Sequence, residues 1–217
     1  MGLEFSNAFN NSNWSFRLMP NEKYQANFTK GGLMVPESRV VADLMLQDLD
    51  AEQWRQAIEV DNVLEKRSPI TAATKAGVIR SRLQTMGPEL WLLVRDGGRE
   101  TATHAALAAT IKFSRLVGDF MDIVLRDLHR RFEHSIRNQH WEHFLEECRN
   151  RQPDMPDWTD KTTDKLRTRI YGMLTEAGYI NDSRNRVLQN VYVAPEVLAY
   201  LREAGEDYVL RCMQVAQ

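Results

Sequence analysis

From Val35 onward apolar residues recur three and four positions apart, the period of a helix with one face turned inward, and the stretches that break this period are short. Residues 1–30, rich in Asn and Ser, have no such period and predict an irregular lead-in whose aromatic residues dock on the body. A first helix follows, with Pro36 in its first turn and Val40, Val41, Leu44 and Met45 inward. A second opens at Asp50, where Gln53 completes a capping box and Trp54, Ala57 and Ile58 face inward. The third has Ser68 as N-cap and Pro69 at its first helical position. Its seam is Ala72, Ala76, Ile79, Leu83 and Met86; its other side reads Thr74, Val78, Ser81 and Thr85, bordered by Lys75, Arg80 and Arg82. A slim polar face edged by long cations suits entry into a DNA groove, and equally the solvated side of a bundle helix. Residues 31–98 are expected to form a helix-turn-helix-like N-terminal domain.

After the break at Asp96-Gly97-Gly98, a helical region from about Arg99 to Glu133 is predicted, interrupted at Gly118, with Phe120, Met121, Val124, Leu125, Leu128 and Phe132 as a broad inward face. With the helix that follows, it makes a central bundle over residues 99–152. Pro153 and Pro156 mark a linker into a C-terminal module, residues 153–217. There, Thr162 or Thr163 caps a helix with Leu166, Ile170, Met173, Leu174 and Ala177 inward and Gly178 just past its end. Tyr179-Ile180 and Val187 to Val193 read as short strands around the polar tip Asn181 to Arg186. Helix, glycine, strand, basic turn, strand predicts a winged-helix-like module with one small β-hairpin, its helix reading DNA and its hairpin lying along the backbone. A helix from about Pro195 to Met213 closes the chain. The fold class expected is mainly α.

Composition narrows the classes. The 217 residues are 43% hydrophobic and 27% charged, ordinary for a globular protein. Apolar runs fall far short of the roughly 18 residues of a membrane span, and no signal peptide precedes them, so a cytoplasmic protein is expected. Cys148 and Cys212 form no CxxC pair and indicate neither a disulfide framework nor a zinc knuckle. The net charge of −2 conceals segregation. Between Lys66 and Pro88 stand Lys66, Arg67, Lys75, Arg80 and Arg82 and no acid; between Lys161 and Arg186 stand Lys161, Lys165, Arg167, Arg169, Arg184 and Arg186 against Asp164, Glu176 and Asp182. The remainder is strongly acidic, a statement about partners rather than fold. These eleven cations, with Asn185 at the tip, are the candidate DNA contacts.

Catalytic signatures are missing: no GxxxxGK[ST], GxGxxG after a strand, HExxH or GxSxG. His140, His143 and Glu147 share one helical face and mimic a two-histidine, one-carboxylate metal set, yet no fourth ligand is evident. Interleaved Trp141 and Phe144 favour packing or surface roles for these histidines. His129 and His134, among Arg126, Arg130 and Arg131, read as a solvated basic face. No enzyme activity, cofactor, metal or small-molecule substrate is expected.

The run YQANFTKGGLMVPESRVVADLML, the phrase DNVLEKRSPITAAT and the run WTDKTTDKLRTRIYGMLTEAGYI together resemble the BrxA family of bacteriophage exclusion (BREX) systems, over about Tyr24 to Val215. No single motif carries the likeness; several phrases in order do. The resemblance implies a non-enzymatic, mostly helical DNA-binding accessory protein, encoded beside a methyltransferase and an ATPase, with a fold similar to the NusB antitermination factor and to winged-helix modules. Two functions compete: binding of double-stranded DNA, which explains the basic windows, and an adaptor that assembles other defence proteins, which explains the acidic remainder.

Overall fold

The computed structural model describes residues 23–216. Among them the helices, in chain order, are α1 (Val35–Leu46), α2 (Ala51–Arg55), α3 (Pro69–Leu83), α4 (Pro88–Asp96), α5 (Arg99–Phe113), α6 (Arg115–Asp119), α7 (Arg126–Arg130), α8 (Asn138–Arg151), α9 (Asp160–Glu176), α10 (Pro195–Glu203) and α11 (Asp207–Met213). A π-helical turn, Gln56–Val60, prolongs α2, and another, Phe120–Leu125, joins α6 to α7. No described helix is long and apolar enough to cross a membrane.

Local chemistry sets the helix starts. Asp50 accepts hydrogen bonds from the Glu52 and Gln53 N–H groups while the Gln53 side chain accepts from the Asp50 N–H, the capping box the sequence predicts. Ser68 caps α3 through the Thr71 N–H. The cap of α9 is Thr159, three or four residues before the threonines expected, and it accepts from the Thr162 N–H. The expected break at Gly118 falls at Ser114 instead, whose extended backbone separates α5 from α6. Gly118 is buried inside α6, where a Cβ would come within 2.3 Å of the Tyr208 hydroxyl, so the glycine serves close packing.

One buried cluster runs through the molecule from Tyr24 to Val215. α5 lies deep inside it, with Ala105, Leu107, Ala108, Ala109 and Ile111 fully enclosed. Phe120 meets Trp141, Phe144 and Tyr171 at ring-centroid distances of 5.2–6.1 Å, tying the second π turn to α8 and α9. Tyr24 and Phe28 dock on the body as the lead-in reading expects; the part of that lead-in before residue 23 lies outside the described residues. Residues 24–34 act as a strap. The Tyr24 hydroxyl donates to Asp119, Asn27 donates to the Phe113 carbonyl, Arg82 donates to the Gly31 and Gly32 carbonyls, and the Leu33 N–H donates to Glu176.

Two architectural expectations are corrected. Among the described residues there is no strand and no sheet, so the winged-helix module with its β-hairpin is not formed. The segment after α9 makes isolated bridges only, Ile180 with Leu188 and Ser135 with Val187. Its partners are split between two short stretches, and it is folded by side chains: Asp182 accepts from the Arg184 and Asn185 N–H groups, Asn181 accepts from the Val187 N–H, and Arg186 takes a left-handed φ of 54°. The final helix, expected to be continuous from about Pro195 to Met213, splits at Gly205 into α10 and α11. Within residues 31–98, α1 packs against both α3 and α4.

Cys148 and Cys212 are both fully enclosed, and burial pushes each thiol up to about 12. Neither is expected to react with a thiol reagent at mildly alkaline pH until the chain is denatured, when both should. Fast labelling of the native protein would show this packing to be wrong.

Candidate nucleic-acid interface

The two basic windows have different fates. In the first, Lys66 and Lys75 both reach Glu37 on α1, at 3.0 and 3.3 Å, and hold its carboxyl below the usual range against the opposing effect of its own burial. Arg82 is 3% exposed and turned inward to the strap; burial lowers its pKa to about 10, so it remains a cation at neutral pH. Arg80 stacks on Trp54, 4.2 Å from the ring centroid. Only Arg67 is exposed with no ion pair among the described residues. Lys66 and the α3 cations thus hold α1, the strap and α2 together.

The second window stays open to solvent. Leu166, Ile170, Met173 and Leu174 bury one side of α9, and Lys161, Lys165 and Arg169, four residues apart, line the opposite side. All three are exposed and none has an ion pair among the described residues; Arg169 donates to the Thr29 carbonyl, which fixes it beside the strap. Arg167 sits on the flank and pairs with Asp164 at 2.9 Å. Arg184 and Asn185 are exposed at the tip, Asn185 held by Asp182, while Arg186 turns back over the Tyr171 ring at 5.3 Å and donates to Asn138 at the start of α8. Arg186 therefore anchors the turn to the middle of α9. Arg184 is the tip's exposed cation and makes no ion pair among the described residues, although the Asn185 N–H and, behind it, the Arg184 charge help hold the Asp182 carboxyl below the usual range.

Sequence reading set aside the connector between α7 and α8 as a solvated basic face, and the structure brings it to this region. The Ile136 N–H donates to the Arg186 carbonyl and the Leu188 N–H to the His134 carbonyl, each at 3.0 Å. Arg130, Arg131 and Arg137 thereby join the neighbourhood of Arg184. Arg131 and Arg137 reach Asp127 and Glu133, while Arg130 is exposed with no ion pair among the described residues. The pairing is between residues some fifty positions apart, so no local periodicity announces it.

The histidine face does not assemble as a metal set. His140, His143 and Glu147 border a depression of about 200 Å³, but His140 Nδ1 accepts the Arg137 N–H at 3.1 Å and Glu147 pairs with Arg151. No group of three or more His, Cys, Asp or Glu among the described residues could hold a metal ion.

The model of the BrxA family matches residues 22–205, most of the chain. The chain belongs to the BrxA family. A BrxA protein of Paramagnetospirillum magneticum, named a BREX protein, is 48% identical over 198 residues, covering 91% of this chain and 100% of that one. Another, from Escherichia coli, is 32% identical over 208 residues, covering 95% and 97%. The crystal structure of an uncharacterized protein from Magnetospirillum magneticum superposes with a TM-score of 0.82 at 47% identity, over 89% of this chain and 99% of that one. The arrangement of helices is thus shared with that structure, and the open cations of α9 lie within the span the family model matches.

Proposed function

We propose that this BrxA-family chain is a non-enzymatic accessory protein of a BREX phage-defence system that holds double-stranded DNA on the outward side of α9 and on the neighbouring turn at Arg184. The observation that carries this reading is the contrast between the windows: the cations of α3 are consumed by intramolecular contacts, whereas Lys161, Lys165, Arg169 and Arg184 stay exposed and make no ion pair among the described residues, with Asp182 the acid nearest in sequence to Arg184. Several long cations left unneutralised on one region of an otherwise acidic protein suit phosphate contacts. The family membership and the BREX names of the relatives support the setting in phage defence. Other BREX proteins are its natural partners, and the isolated chain should lack methyltransferase, nuclease and ATPase activity.

A second reading, the adaptor, is favoured by Val60, Val63 and Ile70, which stand 59, 37 and 80% exposed around the start of α3. Chromatography on heparin separates the two. A DNA-binding face predicts retention at modest salt and elution as salt rises, whereas passage through the column with retained affinity for another BREX protein would favour the adaptor.

A further inference from the structure

The end of α7 carries a side chain that packing does not explain. Three helices finish with the same pair of hydrogen bonds, in which the residue after the C-cap turns left-handed. In α9 the N–H groups of Gly178 and Tyr179 bond to the carbonyls of Thr175 and Leu174; in α10 those of Gly205 and Glu206 bond to Arg202 and Leu201; in α7 those of Phe132 and Glu133 bond to His129 and Leu128. The first two positions are glycine, at φ 80° and 66°, and the third is phenylalanine at φ 55°. A bulky side chain is strained there, and Phe132 is 94% exposed, so no burial offsets the strain. The helical period would have placed it inward.

Its surroundings point to a ligand of negative charge with flat apolar groups. Arg130 is exposed beside it, and the connector it starts is paired through Ile136 and Leu188 with the turn that carries Arg184. A concavity of about 540 Å³ opens next to the ring, with Arg130, Glu133, Leu188 and Val215 in its lining; Glu133 is paired with Arg137 at 3.4 Å, which leaves Arg130 as the unpaired charge there among the described residues. A protein surface would accept the ring alone; the cations around it favour duplex DNA, whose phosphates and bases meet both features.

We infer that Phe132 is a wedge, pressed against a base step of the duplex held by the neighbouring cations, so that the protein prefers DNA that is easily unstacked. The inference rests on the DNA-binding reading above. Its test uses the full chain, the Phe132→Gly and Phe132→Ala variants, and two labelled duplexes, one fully paired and one with a central mismatch beside 2-aminopurine. The wild type is expected to bind the mismatched duplex about tenfold more tightly and to raise the 2-aminopurine fluorescence, because unstacking a mismatch costs less. Phe132→Gly should bind both duplexes equally and more weakly, with no fluorescence rise, while its melting temperature increases by about 2–4 °C as the strain is relieved. A variant that keeps the mismatch preference and the fluorescence rise overturns the wedge and leaves DNA binding intact. A melting temperature that falls in both variants, together with unchanged discrimination, assigns the ring to the fold instead. Loss of a co-purifying defence protein with DNA binding unchanged makes Phe132 a protein anchor, and a wild type that binds neither duplex ends both readings.

Discussion

Replacing Lys161, Lys165 and Arg169 together by alanine is expected to lower affinity for unrelated duplexes about ten- to hundredfold at low salt, and to reduce the slope of log K against log salt by about one for each phosphate left unneutralised. The three side chains lie on the side of α9 opposite its buried seam, so their removal leaves the packing of Leu166, Ile170 and Met173 in place. Arg169 also donates to the Thr29 carbonyl, so the double variant Lys161→Ala with Lys165→Ala is the cleaner arm and should keep the wild-type melting temperature. Arg184→Ala should weaken binding further and equally for different sequences, because the tip offers a charge and no base-reading geometry. The control is the other window. Lys66→Ala with Lys75→Ala strips Glu37 of both partners and should cost stability of about 1–2 kcal/mol while leaving the salt slope unchanged. A gel shift in which the α3 variants fail to bind and the α9 variants still do would reverse this assignment of the interface.

That contrast also measures how far the sequence carries. Period and capping residues identify helices well, since Ala72, Ala76, Ile79 and Leu83 face the core of α3 as spaced and Asp50, Ser68 and Gly178 perform their local roles. Charge counting cannot tell a cation that meets solvent from one that meets a carboxylate or a buried carbonyl. Arg82 lies on the edge of the polar side of α3 in projection, yet the Gly31-Gly32 strap crosses there and takes it inward. The failed β-hairpin has the same origin. Val187 and Leu188 have strand propensity, but their backbone partners are divided between Ile180 and the connector that precedes α8, and each pairing ends after a single bridge. Phe132, read as inward by period, is exposed because α7 has already ended at Arg130. These are tertiary facts, and a single sequence holds no local trace of them.

Asp119 is expected to be the most costly polar side chain to remove. It is 4% exposed where α6 passes into the π turn, and its carboxylate accepts from the Tyr24 hydroxyl at 2.7 Å, the Tyr208 hydroxyl at 2.7 Å and Arg115 Nε at 3.1 Å. The three donors come from the strap, from α11 and from α6 itself, so one group ties both ends of the described chain to its centre. Asp119→Ala leaves two hydroxyls and a guanidinium without their acceptor, at a cost of about 3–5 kcal/mol, which for a chain of this size lowers the melting temperature by about 10 °C. Tyr24→Phe or Tyr208→Phe alone should cost about 1 kcal/mol, because each removes a donor and leaves the carboxylate its other partners. Combined with Asp119→Ala, neither tyrosine change should add its full cost, a non-additivity that a double-mutant cycle measures directly. The strap also carries the Thr29 carbonyl that fixes Arg169, so Asp119→Ala should weaken DNA binding less than the α9 variants do and only as the strap loosens. If Asp119→Ala melts within about 1 °C of the wild type, well under the shift expected from even 1 kcal/mol, the network does not hold the strap and α11 to the core.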